Sequence, residues 1–444
     1  MSRADTIFAL SSAGGRAGLA VIRLSGPGAD AALEQLLAGA PGATSPALPK
    51  PRVLQRVDLL DNSGLLLDEA MAVRFVAPHS FTGEAVVELY THGSPAVIRA
   101  VLAALSALAG MRPAEAGEFT QRAFLNGKMD LAAVEGLGDL IDAQTDAQRR
   151  LSLRQLGGAL SHQVQAWRAA IIALRAETEA WIDFPDEDLP DDFFPTVRGR
   201  AVALAQVMAS ATAQSHRLAA HVRDGFTVAL VGLPNVGKSS LLNALAARDV
   251  AIVTDVAGTT RDALSVPIEL NGFLVNVVDT AGLRATTDEV EAIGVDRAVQ
   301  AAQSADLVLW LIDERGEDPE IGRYLSACEV IKVATKQDLW AGSGYEVRVS
   351  VQAGSGLDHV LSTVQAHLLD ERSSLDDILP MGRQRHAHHV QQAVDALSRC
   401  GDIEELALLA ECMRDATGAL GRITGTVDVE DVLDHIFSRF CIGK

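Results

Sequence analysis

The chain is short of cysteine, of positive charge and of long apolar runs. Its 444 residues hold four cysteines, Cys328, Cys400, Cys412 and Cys441, and none forms a C-x-x-C pair. That excludes a zinc knuckle and a disulfide framework; Cys328, Cys400 and Cys412 read as small apolar fillers. Cys441 lies in the terminal "CIGK", where Lys is a poor last residue for prenylation. No stretch reaches ~18 uninterrupted apolar residues, so no membrane-spanning helix is expected. The nearest approach, "WRAAIIALRAETEAW" at 167–181, is broken by arginines and glutamates. The N-terminal "MSRADTIFALSSAGG" has no long apolar run and carries Asp5, unlike a secretion signal. Lys and Arg number 38 against 58 Asp and Glu, a formal net charge of −20. This balance opposes broad binding to phosphate backbones, so any nucleic-acid role needs a local patch or a partner's surface. The expectation is a soluble, cytoplasmic protein with no membrane role.

What is present is ample core material. Hydrophobic residues make up 48% and charged ones 22%, which suits about two to four packed domains. Residues 1–118 read as a mixed α+β domain. "AGLAVIRLSG", "LDEAMAVRFVAP" and "AVVELYTHG" are strand-length apolar or alternating pieces, and "SPAVIRAVLAALSAL" has helical periodicity. Residues 119–221 are nearly all helix, with Leu131, Val134, Leu137, Leu140 and Ile141 at helical spacing. The acidic "DFPDEDLPDDFFP" at 183–195 separates two long helices and reads as a solvated loop, not a metal site. At Phe226 the period changes. "FTVALVG", "FLVNVVDT", "ADLVLWLID", "EVIKVAT" and "YEVRVS" alternate with helices, the mark of a doubly wound α/β domain over 222–372. Helices return over 373–444, where Val429, Val432, Leu433, Ile436, Phe437 and Phe440 form one stripe. A helical domain interrupted by an inserted nucleotide-binding domain is the simplest arrangement, and no internal repeat stands out.

"GLPNVGKS" at 232–239 fits the phosphate-loop pattern G-x-x-x-x-G-K-[ST] between a strand and a helix. Asn235, Val236, Gly237, Lys238, Ser239 and Ser240 would wrap the phosphates. Lys238 would span the β- and γ-phosphates, and the Ser239 hydroxyl would meet Mg²⁺. Asp279, Thr280, Ala281 and Gly282 form a D-x-x-G that closes a strand. Its aspartate suits a water-mediated hold on Mg²⁺, and the Gly282 N–H suits a γ-phosphate oxygen. Between these motifs run Thr254, Asp255, Val256, Ala257, Gly258, Thr259 and Thr260, with Thr260 the natural second hydroxyl for Mg²⁺. Thr335, Lys336, Gln337 and Asp338 read as a base-recognition motif. The Asp338 carboxylate can accept two hydrogen bonds from guanine, and adenine offers no such pair. Thr335 replaces the usual Asn and keeps only a hydroxyl. Ser350, Val351 and Gln352 form the loop behind the base, with Val351 for the usual Ala; a backbone N–H acts there, so the change is tolerable. One expected group is missing. Leu283 follows Gly282 where Ras-type enzymes carry a water-aligning Gln, and leucine can neither donate nor accept.

The order of these motifs, with "DEVEAIGVDRA" after the D-x-x-G, resembles the tRNA modification GTPases of the MnmE (TrmE) family. "SFTGEAVVEL" (80–89), "RPAEAGEFTQRAFLNGKMDLAAVEGLGDLIDA" (112–143), "IDFPDE" (182–187) and the terminal "FCIGK" extend the resemblance over essentially the whole chain. It implies an N-terminal α+β folate-binding and dimerisation domain, a discontinuous helical domain and an inserted Ras-like GTPase domain. It implies a homodimer and a heterotetramer with the FAD/NADH-dependent MnmG (GidA) partner. Together they would modify carbon 5 of the wobble uridine of certain tRNAs, installing a carboxymethylaminomethyl-type group with GTP, K⁺ and a one-carbon folate such as 5-formyltetrahydrofolate. By similarity, K⁺ is held by Asn235, Thr254, Val256 and Thr259. Glu291 orients the water and is, with Lys238, a catalytic residue. Arg23, Glu88, Lys128 and Lys444 match the folate positions; taken singly, each would read as a surface residue.

Other readings have less behind them. A ribosome-assembly GTPase of the same K⁺-dependent class would carry a KH module with a basic G-x-x-G loop. "GALG" at 418–421 has that spacing but no basic residue, and it sits among helical segments. A membrane-remodelling scaffold lacks any basic amphipathic surface. "HAHH" at 386–389 heads a helix and reads as an exposed polar face instead of a metal site.

Overall fold

The computed structural model describes residues 5–38, 47–183, 190, 192–248, 265–279, 299–340, 342–368, 375, 378–427, 433, 436–438, 440 and 442–443. The chain divides into two compact units, Met1–Gly138 with Gly421–Lys444, and Asp139–Leu420.

The first unit is built on a six-stranded sheet. In chain order it comprises β1 (Thr6–Leu10), β2 (Leu19–Ser25), α1 (Ala29–Ala38), β3 (Gln55–Leu60), β4 (Leu66–Phe75), β5 (Val86–His92), α2 (Pro95–Ser106), β6 (Met111–Pro113), α3 (Glu118–Leu125) and α4 (Leu131–Asp142). The strand order is β3-β4-β5-β2-β1-β6, antiparallel except for the β1–β6 pair. Period-2 alternation assigns the faces. Phe8, Ile22, Leu24, Val87 and Leu89 join Leu33, Leu36, Val101 and Leu105 in one core. Ile7, Ala9, Ala114 and Phe119 form a second core. Arg23 and Glu88 alternate with the residues of the first core and face away from it. The C-terminal stripe packs here too, with Leu433, Ile436, Phe437 and Phe440 clustered on Leu131 and Val134 of α4.

The second unit starts with α5 (Asp146–Leu156), whose N-terminus carries a reciprocal capping box between Thr145 and Gln148. Two long helices follow, α6 (Ala159–Asp183) and α7 (Phe193–Asp224). The inserted domain contains β7 (Phe226–Gly232), α8 (Lys238–Ala246), β8 (Ser265–Leu270), β9 (Phe273–Asp279), β10 (Leu307–Ile312), α9 (Pro319–Tyr324), β11 (Val330–Ala334), β12 (Val347–Arg348) and α10 (Leu357–Leu368). Its sheet runs β12-β11-β10-β7-β9-β8, parallel except for the β8–β9 hairpin. Both faces are covered. Val228, Leu230, Leu307 and Leu309 point into one core, and Ala229, Val308, Trp310 and Ile312 into the other, which is why these strands read as unbroken apolar runs. The expected doubly wound domain is therefore present. After it the chain returns to α7 through α11 (Gln384–Arg399) and α12 (Leu406–Thr424). His216 on α7 bonds the Met381 carbonyl at 2.7 Å, and Ser215 accepts from Leu379 N–H at 2.9 Å. "GALG" lies inside α12, so it is helix and not a KH-type loop.

Candidate functional site

The phosphate loop joins β7 to α8 and depends on special backbone. Gly237 has φ 110° and Asn235 φ 61°. A Cβ on Gly232 would lie 2.5 Å from the Leu311 carbonyl, so the loop approaches β10 too closely for any side chain there. Lys238 is buried, and its ammonium donates to the carbonyls of Gly232 and Leu233 at 2.8 and 2.9 Å. The Ser239 hydroxyl donates to Oδ2 of Asp279, at the end of β9, at 2.5 Å. Two hard oxygen donors thus converge beside the loop, the donor chemistry that Mg²⁺ takes. Ser240 follows as an exposed residue of α8.

The base-recognition residues stand at the ends of β11 and β12. The buried Thr335 hydroxyl reaches the carbonyls of Val236 and Ile312, at 2.8 and 3.2 Å. Asp338 is exposed, and its Oδ1 accepts from the Ser350 hydroxyl. Ser350 in turn accepts from Ala353 N–H at 3.1 Å. Reciprocal backbone bonds of 3.0 Å between Ser350 and Ser355 close the turn that holds Val351 and Gln352. Gln337 donates to the Ser355 hydroxyl at 2.6 Å. Sequence reasoning missed the next group. Asp313, fully buried at the end of β10, accepts from Nε and Nη2 of Arg315 at 2.9 and 2.7 Å and from Lys336 at 3.1 Å. The Arg315 hydrogen bonds, ahead of the opposing cost of burial, hold its carboxyl far below the usual range. Arg315 also donates to the Pro234 carbonyl at 2.9 Å. No motif announces this cluster.

Thr254, Asp255, Val256, Ala257, Gly258, Thr259, Thr260, Thr280, Ala281, Gly282, Leu283 and Glu291 lie outside the described residues. So do Lys444 and Cys441.

A second polar site lies on the first unit's sheet. Arg23 on β2 and Glu88 on β5 are directly paired in register, with Nε to Oε1 at 2.9 Å. Their side chains are only 20% and 14% exposed, so the pair is largely sheltered from water. The guanidinium sits 5.4 Å from the Phe81 ring centre and 5.8 Å from that of Phe119, within cation–π range. The Tyr90 hydroxyl donates to the other Glu88 oxygen at 2.9 Å; burial first, then this bond, raises its pKa. Lys128 donates to the Pro78 carbonyl at 3.0 Å, and its stem lines the approach to Gly83. The chain end is fastened to the same unit. Ile442 bridges Ala116, and the Ser11 hydroxyl donates to the Gly443 carbonyl at 2.8 Å. Gly443 has φ 102°, and a Cβ on it would collide with the Leu10 carbonyl. A guanidinium beside two rings and a paired carboxylate suit a flat heterocycle that bears N–H groups.

Asp5, Glu84, Arg112, Glu118 and Arg122 form an ionic network in that unit. Arg112 and Arg122 both bond Glu118, Arg122 also bonds Glu84, and both reach Asp5. Burial works to raise the Glu118 pKa, but bonds from Arg112, the Glu115 N–H and Arg122 outweigh it and hold the carboxyl below its ordinary value.

Two sequence expectations meet the structure elsewhere. His386 is fully buried, not part of an exposed face, because it shares a stripe with Val390, Val394 and Leu397; His388 is exposed as expected. Among the described residues, no group of three or more His, Cys, Asp or Glu could hold a metal. Cys400 and Cys412 are buried fillers, and burial pushes the Cys400 thiol up to about 12. No helix of the described residues is long and apolar enough to cross a membrane.

Comparison with known proteins agrees with this layout. Residues 6–128 match the family model described as the GTP-binding protein TrmE N-terminus, and residues 131–441 match that of the MnmE helical domain. The chain is 47% identical to the tRNA modification GTPase MnmE of Rhodospirillum rubrum, over 99% of both chains. It is 45% identical to that of Caulobacter vibrioides, over 99% of this chain and 100% of the relative. Among solved structures, the G domain of the T. maritima FeoB iron transporter is 26% identical with a TM-score of 0.24, covering 32% of this chain and 99% of that one.

Proposed function

The chain belongs to the MnmE (TrmE) family of tRNA modification GTPases, and from that premise we propose that it hydrolyses GTP to drive modification of the wobble uridine of certain tRNAs. The observation that carries this reading is the joint site: a phosphate loop with Ser239 on Asp279, next to an exposed Asp338 oriented by Ser350. Asp338 accepts from the guanine N1–H and amino group. Ser239 and Thr260 would hold Mg²⁺, and Lys238 would turn from its loop carbonyls to the β- and γ-phosphates. Asn235, with Thr254, Val256 and Thr259, holds K⁺; an amide oxygen is a donor of the right hardness. A cation bound there would supply positive charge where the leaving oxygen gains negative charge. Glu291 accepts a hydrogen bond from the attacking water, the task that Leu283 cannot perform.

In the first unit, Arg23, Glu88, Lys128 and Lys444 bind a one-carbon folate such as 5-formyltetrahydrofolate. The working assembly is a cytoplasmic homodimer joined to the flavin-dependent MnmG (GidA) partner, and tRNA is met by a local patch or by that partner's surface.

Nucleoside analysis of tRNA from a deletion strain tests the pathway. Loss of the carbon-5 wobble substituent, restored by the wild-type chain, is expected; an unchanged nucleoside spectrum overturns it. Hydrolysis rates in KCl and NaCl at equal ionic strength test the cation. Equal rates overturn the K⁺ site, and Asn235→Ala is expected to erase any difference.

A further inference from the structure

We propose that Arg315 is a positioning residue for Asn235, acting with Thr335 as a two-point clamp on the phosphate loop. The inference rests on the reading that Asn235 ligates K⁺. Asn235 has φ 61°, a region that residues other than glycine enter sparingly. The two peptides that flank its Cα set where its side chain points. The peptide before it is held from outside the loop, the peptide after it is held within the loop by Val236 N–H on the Leu233 carbonyl at 3.3 Å, and the next carbonyl along is again held from outside. The carbonyl of Pro234 accepts from Arg315 Nη2 at 2.9 Å, and the carbonyl of Val236 accepts from the Thr335 hydroxyl at 2.8 Å. Turning the Pro234–Asn235 peptide over would break the first bond and take Asn235 out of its left-handed conformation. With these carbonyls fixed, the Cα–Cβ bond of Asn235 leaves the loop in one direction.

The bonding of Arg315 suits this task and not that of an arginine finger. Two bonds to Asp313 fix its guanidinium, and the Asp313 carboxylate is fully buried. The guanidinium therefore cannot swing onto the phosphates as an arginine finger without abandoning a buried charge, which is costly. The same carboxylate accepts from Lys336, so the clamp ties the cation side of the loop to the segment that reads the base. Thr335 has one hydroxyl where an asparagine would have an amide with two donors. Arg315 supplies the second anchor that this substitution leaves out.

The test compares Arg315→Met, which keeps length but no donor, with Arg315→Lys, which restores one donor. In Arg315→Met the K⁺ concentration for half-maximal hydrolysis is expected to rise about 10-fold, as for loss of one charge-assisted bond, with partial recovery in Arg315→Lys. The second readout needs no turnover. Hydrogen exchange of the GDP-bound protein is expected to quicken in peptides covering 232–240, and fluorescent-GDP affinity to stay within roughly threefold. An Arg315→Met protein with wild-type K⁺ response and wild-type exchange overturns the clamp. A variant that loses GDP affinity, K⁺ response and thermal stability together also overturns it, because the residue is then merely structural. If the wild type itself shows no K⁺ dependence, the cation reading fails, and the exchange arm still decides whether Arg315 holds the loop.

Discussion

The phosphate-loop site of the second unit and the Arg23–Glu88 site of the first are assembled in opposite ways. The first is made of short contiguous stretches, and much of its chemistry belongs to the backbone: left-handed Asn235 and Gly237, a glycine pressed on β10, N–H groups at a helix start. The second is made of single side chains, Arg23 from β2 and Glu88 from β5, brought together only by strand register. A backbone site should tolerate side-chain changes such as Val351, because the working group would survive. A side-chain site has no such reserve, and each change should show in ligand affinity.

The largest effect expected is at the base. A site that hydrogen-bonds a particular base edge rejects a competitor lacking it by about 10⁴–10⁵-fold. Asp338→Ala should collapse the preference for GTP over ATP, measured by competition against fluorescent GDP. Preserved discrimination would move base recognition away from Asp338.

Next is Glu291, twelve residues beyond Asp279. A positioned carboxylate contributes about 10²–10⁴-fold. Glu291→Ala should slow single-turnover hydrolysis by that order while GTP binding is retained, and Glu289→Ala should change little. A wild-type rate in Glu291→Ala would leave the water to another group.

The third prediction moves to the first unit and concerns stability. Breaking a buried ion pair costs about 3–5 kcal/mol. Glu118→Gln strips the charge from a carboxylate gripped by Arg112 and Arg122 and should lower the unit's unfolding temperature. The folded pKa of Glu118 lies below its unfolded value. Its contribution is thus complete above the unfolded pKa and disappears as pH falls through the folded one. The acid limb of the wild-type stability curve should be steeper than that of Glu118→Gln; parallel limbs would show that the network carries no pH-linked stability.

What could be read in advance follows the same division. Both layers of the inserted domain were legible, since two-sided strands are runs of apolar residues and the loop, D-x-x-G and base motifs are contiguous. Asn271-Gly272 is equally legible: both residues have positive φ and turn β8 into β9, the two-residue hairpin preference. Arg315 was not legible. Its partner Pro234 is 81 residues away, and no local pattern encodes that contact. Tyr90 and Phe81 were invisible for the same reason, as their meaning comes from what β5 and the 77–85 turn place beside Arg23. His386 failed because a polar letter at a helix start does not disclose which face the helix buries.

The smallest effect expected is at Tyr90. Its hydroxyl supplies the bond to Glu88 Oε2, while Arg23 holds Oε1. Removing it leaves the carboxylate charged and still paired on one side, so the fold should not suffer. Glu88 would then rotate about its last torsion and meet a ligand's N–H groups less often in the right orientation. Losing one charge-assisted hydrogen bond is worth about 1.5–3 kcal/mol at most, and partial compensation by water should reduce this to roughly a fivefold loss of folate affinity. Calorimetric titration of Tyr90→Phe with a one-carbon folate checks the figure, with GTP affinity as the internal reference. Arg23→Ala should be far worse, since it removes the cation beside Phe81 and Phe119 and strands Glu88. If Tyr90→Phe binds folate as the wild type does, Glu88 is oriented by Arg23 alone, and the side-chain site is less interdependent than its geometry suggests.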